Sequence, residues 1–165
     1  MKKQFYIFLD IDGVLWSAPY IIREIDRGNI KRGLIKDLEP KCVDALNYFI
    51  ECLDKVYDVR LVISSSWRYH MESTIKTLKK YGLEYSKEID RTIISKDTSK
   101  RGLEIKEYLS NKDNYEFVII DDEMFDYNKE FNIDNIIKTD LYKDALTLEL
   151  VKNHLNKIKL NINKR

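Results

Sequence analysis

Three short apolar runs, each followed by polar residues, limit most strongly how this chain can fold. They are Phe5–Leu9, Val59–Ile63 and Phe117–Ile120, and they are rich in β-branched and aromatic residues. Runs of this kind are typical of strands that are buried on both faces of a parallel sheet. Weaker strand candidates are Thr92–Ile94 and Asn135–Lys138. The sequence therefore predicts a parallel sheet built from these runs.

Segments with helical periodicity lie between these runs. Pro40 suits a first helical turn, and apolar residues then recur at three- and four-residue steps. Similar stripes begin at Met71, Leu103 and Leu146, and Gly82 follows the first of these three as a C-terminal cap. Such alternation predicts an α/β fold, a three-layer sandwich around a Rossmann-like parallel sheet with right-handed crossovers.

The composition is that of an ordinary globular protein, and we expect one domain over residues 1–165. Lys and Arg together number 29 against 28 for Asp and Glu, which excludes a general polyanion-binding field. No apolar run approaches the roughly 20 residues of a membrane helix, and the N-terminal run is too short for a signal peptide. Cys42 and Cys52 lie ten positions apart on one predicted helix, about 15 Å and too far for a disulfide. These features predict a cytoplasmic protein without membrane contact.

Polar side chains follow all three strong strand candidates. Asp10 and Asp12 follow the first, Ser64 the second, and Asp121 and Asp122 the third. Because ligands of parallel α/β sheets bind at the carboxyl ends of the strands, we expect these side chains to meet. An isolated Asp-x-Asp-Gly segment is usually a turn, but a second acid pair after another strand favours a site.

The chemistry of such a cluster favours phosphoryl transfer. Clustered carboxylates repel one another unless a cation joins them, and oxygen-only ligands favour Mg²⁺. A carboxylate can then attack phosphorus, and a second carboxyl group two residues along can protonate the leaving oxygen and activate water. Hydroxyls and a Lys or Arg can hold the phosphate and neutralise its charge.

Four segments in order resemble the signatures of the haloacid dehalogenase (HAD) superfamily. Phe8–Leu15 contains the Asp-x-Asp-Gly signature, Leu61–Ser64 is a strand ending in Ser, and Val118–Asp122 is a strand ending in paired acids. The third signature is a cation ahead of a helix, for which Lys100 and Arg101 both qualify. The segments 65–68 (Ser-Ser-Trp-Arg), 101–105 (Arg-Gly-Leu-Glu-Ile) and 138–140 (Lys-Thr-Asp) are further similar to the compact HAD domain of "Swiss army knife" RNA-repair proteins.

The resemblance implies a role for each matching residue. Asp10 would be the nucleophile and Asp12 the general acid and base, with Ser64 on a phosphate oxygen and Arg101, preferred over Lys100, as the cation. Mg²⁺ would be held by the Asp10 side chain, the Asp12 main-chain carbonyl and Asp121, with Asp122 as a direct or an outer ligand. Substrate-binding residues would be Ser65, Trp67, Arg68 and Lys100. Trp67 could equally pack beneath the site, while Arg68 is expected at its entrance.

The chain has no room for a sizeable cap domain, which in this superfamily usually encloses the substrate. Residues 16–39, named here the basic flap, carry cations with aromatics nearby, which suits a nucleic-acid strand but also an ordinary solvated helix face. The cations are Arg23, Arg27, Lys31, Arg32 and Lys36, and the aromatics are Trp16 and Tyr20. The expected partner is a phosphorylated substrate, with a polynucleotide end as the first candidate. A nucleotide or small metabolite, phosphotransfer to an acceptor hydroxyl, and a non-catalytic binding module remain alternatives; protein partners are not indicated.

Overall fold

A parallel five-stranded sheet forms the centre of the computed structural model, which describes residues 2–30, 37–95 and 100–162. The strand order is β3-β2-β1-β4-β5, and each neighbouring pair is parallel. The predicted α/β class is confirmed. The strands are β1 (Gln4–Leu9), β2 (Asp58–Ile63), β3 (Asp90–Arg91), β4 (Tyr115–Asp121) and β5 (Ile136–Lys138).

Six α-helices connect the strands in the described part of the chain. They are α1 (Ala18–Asp26), α2 (Pro40–Asp54), α3 (Met71–Lys80), α4 (Arg101–Leu109), α5 (Tyr127–Glu130) and α6 (Leu148–Ile162). The four predicted helices are confirmed, and Gly82 follows α3 with a φ of +93°. The last helix begins after Leu146, whose N–H donates to the Val14 carbonyl instead of entering the helix. Helix α1 was not predicted, although Ser17 caps its N-terminus.

One weak strand prediction was wrong and the other was confirmed. The ladder between β2 and β3 ends at the pair Ile63 and Arg91, so Thr92–Ile94 lies beyond the last residue of β2. Thr92 still donates its N–H to the Ile63 carbonyl, but Ile93 and Ile94 are exposed. At the other edge, β5 covers three of the four residues expected as a strand.

The side chains of β1 alternate between two apolar layers. Phe5, Ile7 and Leu9 lie in a buried cluster with residues of α2 and α6, whereas Tyr6 and Phe8 lie in a second cluster with residues of α4 and α5. Burial of each large apolar side chain contributes about 1.5–3 kcal/mol, so both helical layers are held firmly against the sheet. This arrangement confirms the three-layer sandwich.

The position of β1 between β2 and β4 brings the strand ends together. Leu9 pairs with Ile63 on one side and with Ile120 on the other. The Ser64 N–H donates to the Leu9 carbonyl at 3.0 Å, and the Asp10 N–H donates to the Ile120 carbonyl at 3.0 Å. The polar residues after the three strands therefore lie side by side at one edge.

The segments where a cap domain would be inserted are short. Between β1 and α2 the described residues form one helix of nine residues, and between β2 and β3 they form a 3₁₀ turn followed by a helix of ten. Within the described ranges, we find no helix with the length and apolar character needed to cross a membrane.

Candidate active site

Three carboxyl groups meet at the carboxyl edge of the sheet. Asp10, Asp121 and Asp122 each offer an oxygen, and these atoms lie within 4.8 Å of one another. Asp10 is 3% exposed and Asp121 is fully buried. Burial, reinforced by Asp121, raises the pKa of Asp10 well above its usual value, and burial also raises the pKa of Asp121. Burial together with Asp121 and Glu123 raises the pKa of Asp122 to about 6. The cluster therefore resists full ionisation unless a cation is added.

The donor set of this cluster fits Mg²⁺. All three groups are carboxylates, and neither His nor Cys joins them among the described residues. Hard oxygen ligands of this kind suit Mg²⁺ better than zinc. The Asp12 side chain is not part of this group among the described residues, and the expected ligand role of its main-chain carbonyl stays a prediction.

Gly13 makes space for the Asp122 carboxyl group. Its φ is +70°, and a Cβ atom at this position would lie 2.4 Å from the Asp122 Cγ. The Thr139 hydroxyl donates to the Gly13 carbonyl at 2.8 Å, and the Lys138 ammonium donates to the Asp122 carbonyl at 2.6 Å. The turn after β1 and the end of β4 are thus both held by hydrogen bonds from the end of β5.

Arg101 is the cation that reaches the cluster. Its Nη1 lies 2.5 Å from Asp10 Oδ1 and 3.3 Å from Asp121 Oδ2, and its guanidinium stacks 4.3 Å from the centre of the Phe125 ring. Lys100 instead occupies the exposed N-cap position of α4. Of the two candidate cations, Arg101 is the one that contacts Asp10, and its role on a phosphate stays a prediction.

The N-terminus of α4 is capped from outside the helix. Asp126 accepts the Gly102 N–H at 2.6 Å and the Leu103 N–H at 3.3 Å. A carboxylate at this place satisfies two free donors and offsets the helix dipole, which fixes the residue that begins the helix. Asp126 therefore helps to hold Arg101, and the sequence motifs did not point to it.

Tyr127 is a second residue that the motifs did not reveal. Its hydroxyl donates to Asp121 Oδ2 at 2.7 Å, while the Glu123 N–H donates to Asp121 Oδ1 at 2.9 Å. Burial and the Asp121 charge raise the pKa of Tyr127, so it stays a donor. Its only sequence signal is an aromatic residue six positions after an acid.

Both tryptophans reach Asp12. The Trp16 Nε1 lies 3.0 Å from Asp12 Oδ1, and the Trp67 Nε1 lies 3.1 Å from Oδ1 and 3.2 Å from Oδ2. Both indoles also pack against the main apolar cluster. Trp67 thus packs beneath the site, which was one of the two expectations for it. Its indole N–H also donates to Asp12, the second acid of the Asp-x-Asp-Gly segment.

Ser64 is buried, and its hydroxyl has no hydrogen-bond partner among the described residues. An unpaired buried hydroxyl costs about 1–3 kcal/mol, so it is suited to a ligand oxygen. The Ser65 hydroxyl is engaged locally and accepts the Trp67 N–H at 3.3 Å. The substrate-binding role expected of Ser65 stays a prediction.

Arg68 does not line an entrance, and that expectation was wrong. It is 2% exposed and forms an ion pair with the buried Glu104 at 2.8 Å. Its guanidinium also donates to the main-chain carbonyls of Ser64 and Ser65. A charge this deeply buried must be paired, and pairing with α4 leaves Arg68 beneath the site rather than in contact with a substrate.

The described cations of the basic flap are already paired. Arg27 lies 2.9 Å from Glu24, and Arg23 lies 3.8 Å from Glu39. Lys31, Arg32 and Lys36 lie outside the described residues. The flap as described is therefore an exposed helix with internal ion pairs.

Comparison with known proteins gives one match. The family model of the HAD domain in Swiss Army Knife RNA repair proteins matches residues 6–151, from β1 into α6. No curated protein and no solved structure matches the chain significantly. The matched range includes the acidic cluster, Arg101 and both tryptophans.

Proposed function

Because the chain belongs to the family of HAD domains in Swiss Army Knife RNA repair proteins, whose superfamily consists mostly of phosphohydrolases, we propose that it is a Mg²⁺-dependent phosphomonoester hydrolase with Asp10 as its nucleophile. The observation that carries the proposal is the meeting of Asp10 with Arg101 and two further carboxyl groups at one sheet edge. A cluster that served only the stability of the fold would not need a buried carboxylate that faces other carboxylates and is paired with Arg101.

The first half-reaction transfers the phosphoryl group to the protein. An Asp10 oxygen forms a bond to phosphorus while the bond from phosphorus to the leaving oxygen breaks. The leaving oxygen takes its proton from the Asp12 carboxyl group and departs as an alcohol. The product on the protein is an aspartyl phosphate.

The second half-reaction releases phosphate. Water attacks the phosphorus of the aspartyl phosphate and gives a proton to the Asp12 carboxylate, while the bond between phosphorus and the Asp10 oxygen breaks. Inorganic phosphate leaves, Asp10 regains its carboxylate, and Asp12 is again protonated. Each atom and proton is returned, so the cycle needs no further reactant.

Mg²⁺, held by Asp10, the Asp12 carbonyl, Asp121 and Asp122, would offset the repulsion between the nucleophile and the phosphate and polarise the phosphoryl oxygens. Arg101 places a fixed positive charge beside Asp10. The Ser64 hydroxyl, which has no hydrogen-bond partner in the described part of the chain, supplies a donor to a phosphoryl oxygen.

An exposed phosphate, such as that at a polynucleotide end, is the first candidate substrate. The supporting observation is that the described insertions are too small to enclose a metabolite. A nucleotide or small metabolite is the second candidate, because the described flap cations are paired with acids and do not form a phosphate track.

A panel of phosphate esters tests the proposal. The wild-type protein should release phosphate with Mg²⁺ and lose that activity with EDTA, and Asp10→Asn should abolish turnover because an amide is not a nucleophile. Asp12→Asn should lower kcat by about 10²–10⁴-fold. Comparison of an end-phosphorylated oligonucleotide with the matching mononucleotide separates the two substrate classes. Near-normal turnover in Asp10→Asn would show that the nucleophile is wrong.

A further inference from the structure

The carboxylate of Asp12 is bound by two indole N–H groups from separate parts of the chain. Trp16 follows β1, and Trp67 lies in the 3₁₀ turn after β2, yet both Nε1 atoms lie 3.0–3.1 Å from the same oxygen, Oδ1. They are the only two tryptophans of the chain. These hydrogen bonds therefore connect the turn after β1 and the turn after β2 through the Asp12 carboxylate.

The two oxygens of Asp12 are bound unequally. Oδ1 accepts both indole N–H groups, whereas Oδ2 only shares that of Trp67, at 3.2 Å. An indole N–H can donate but cannot accept. In a protonated carboxyl group, the oxygen that faces two donors is best kept as the carbonyl oxygen, so the proton resides on the other oxygen. Oδ2 is therefore the oxygen that can carry a proton while facing only one of the two donors.

Both indoles pack against the main apolar cluster, and the backbone around each is held by hydrogen bonds. The backbone N–H of Trp67 donates to the Ser65 hydroxyl, and the Thr74 hydroxyl donates to the Trp67 carbonyl at 2.9 Å. Trp16 is followed by the buried Ser17, whose hydroxyl donates to Glu39 at 3.0 Å. Donors held in this way keep a catalytic group oriented before a substrate arrives.

We propose that Trp16 and Trp67 are positioning residues that hold Asp12 by Oδ1, so that Oδ2 exchanges the proton with the leaving oxygen and with water. The proposal rests on the proposed hydrolase function and deepens it. It gives both aromatics a role distinct from stacking on a substrate.

The first test needs no activity. With only two tryptophans, the protein has two indole N–H resonances, which single Trp→Phe variants assign. Asp12→Ala should move both resonances and speed their exchange with water, and Asp12→Asn, which keeps one acceptor oxygen, should have a smaller effect. Asp12→Asn also serves if the alanine variant fails to fold. If either resonance stays in place in both Asp12 variants, the proposal is overturned.

The second test uses the leaving group. Para-nitrobenzyl and para-nitrophenyl phosphate differ in how strongly the leaving oxygen needs a proton, and kcat/KM covers only the steps up to its release. Trp16→Phe and Trp67→Phe should each lower kcat/KM about tenfold for the benzyl ester and less than about threefold for the phenyl ester. Equal losses for the two esters would mean general damage and would overturn the positioning role.

A matched control separates packing from positioning. Tyr85 is a buried aromatic donor whose hydroxyl bonds the Val59 carbonyl at 3.0 Å, near the start of β2 and at the opposite end of this strand from Ser64. Tyr85→Phe should lower stability but leave the ratio of the two esters unchanged. If the wild type hydrolyses neither these esters nor the end-phosphorylated oligonucleotide and the mononucleotide, the proposed function fails, while the resonances still decide the contact with Asp12.

Discussion

At the scale of single residues, two glycines share a backbone conformation, but only one of them lies against the acidic cluster. Gly13 and Gly28 have almost the same left-handed conformation, with φ of +70° and +76°. A Cβ atom at Gly13 would meet the Asp122 carboxyl group, whereas at Gly28 no heavy atom lies within 4 Å. The two positions therefore share the same backbone strain on substitution but differ in contact with the acidic cluster.

This pair yields a prediction for alanine variants. Gly13→Ala and Gly28→Ala should each cost about 1–2 kcal/mol of unfolding free energy, because Cβ is strained at positive φ. Gly13→Ala should in addition weaken Mg²⁺ binding by about tenfold or more, since the Asp122 carboxyl group must move away. Urea denaturation and titration calorimetry measure the two effects. Equal Mg²⁺ affinities in the two variants would contradict this view of Gly13.

At the scale of elements, the buried ion pair of Arg68 and Glu104 joins the turn after β2 to helix α4. Arg68 donates to the carbonyl groups of Ser64 and Ser65, and Glu104 also accepts the Ser95 N–H at 2.9 Å. The helix that begins with Arg101 is thereby fixed relative to Ser64. The positions of Ser64 and Arg101 thus both depend on this one buried ion pair.

A double-mutant cycle tests this link. Arg68→Met and Glu104→Leu should each cost about 3–5 kcal/mol, because each leaves a buried charge unpaired. The double variant should be more stable than the sum of the two costs implies, and it should fold even if a single variant does not. Lys106 and Glu130 form an exposed pair at 2.9 Å that also involves α4, and the same cycle there should give a coupling below about 1 kcal/mol. Equal coupling in the two cycles would count against the link.

The elements also show what the sequence can predict. Apolar runs and helical periods identified four strands and four helices, because the burial that creates those patterns is a property of each segment alone. The exact end of β3 depends on where β2 stops, which the sequence around Thr92 does not contain. The burial of Arg68 follows from Glu104, a residue 36 positions away, and the contact of Trp16 with Asp12 depends on how the flap turns. Such contacts between segments leave no periodic signal.

At the scale of the whole molecule, the packing of α2 against α6 buries a titratable group. His154 of α6 lies edge-on to the Phe49 ring of α2, with the ring centres 6.0 Å apart. Burial, with a smaller effect of Lys157, lowers the pKa of His154 to about 4 from an ordinary 6.5, while Asp134 opposes the shift. Since the unfolded chain takes up a proton that the folded one refuses, stability is complete above pH 6.5 and falls as the pH drops towards 4.

The expected effect can be measured with the chain's two histidines. Between pH 7.5 and 4.5 this group should remove about 2.5 kcal/mol from the unfolding free energy of the wild type. The unfolding free energy of His154→Gln should fall less than that of the wild type over the same range, by this amount. The unfolding free energy of His70→Gln, a change at an exposed position, should fall as much as that of the wild type. Urea titrations at the two pH values give the comparison. Parallel losses in the wild type and His154→Gln would rule out His154 as the cause.

The edges of the sheet have a consequence for association. The outermost strands, β3 and β5, are two and three residues long in the described part of the chain. Long exposed edges act as templates on which other chains add strands and aggregate, and very short edges remove that template. An extended peptide could align with only two or three residues at either edge. Any polypeptide that docks on this sheet must therefore be recognised through side chains rather than through the backbone.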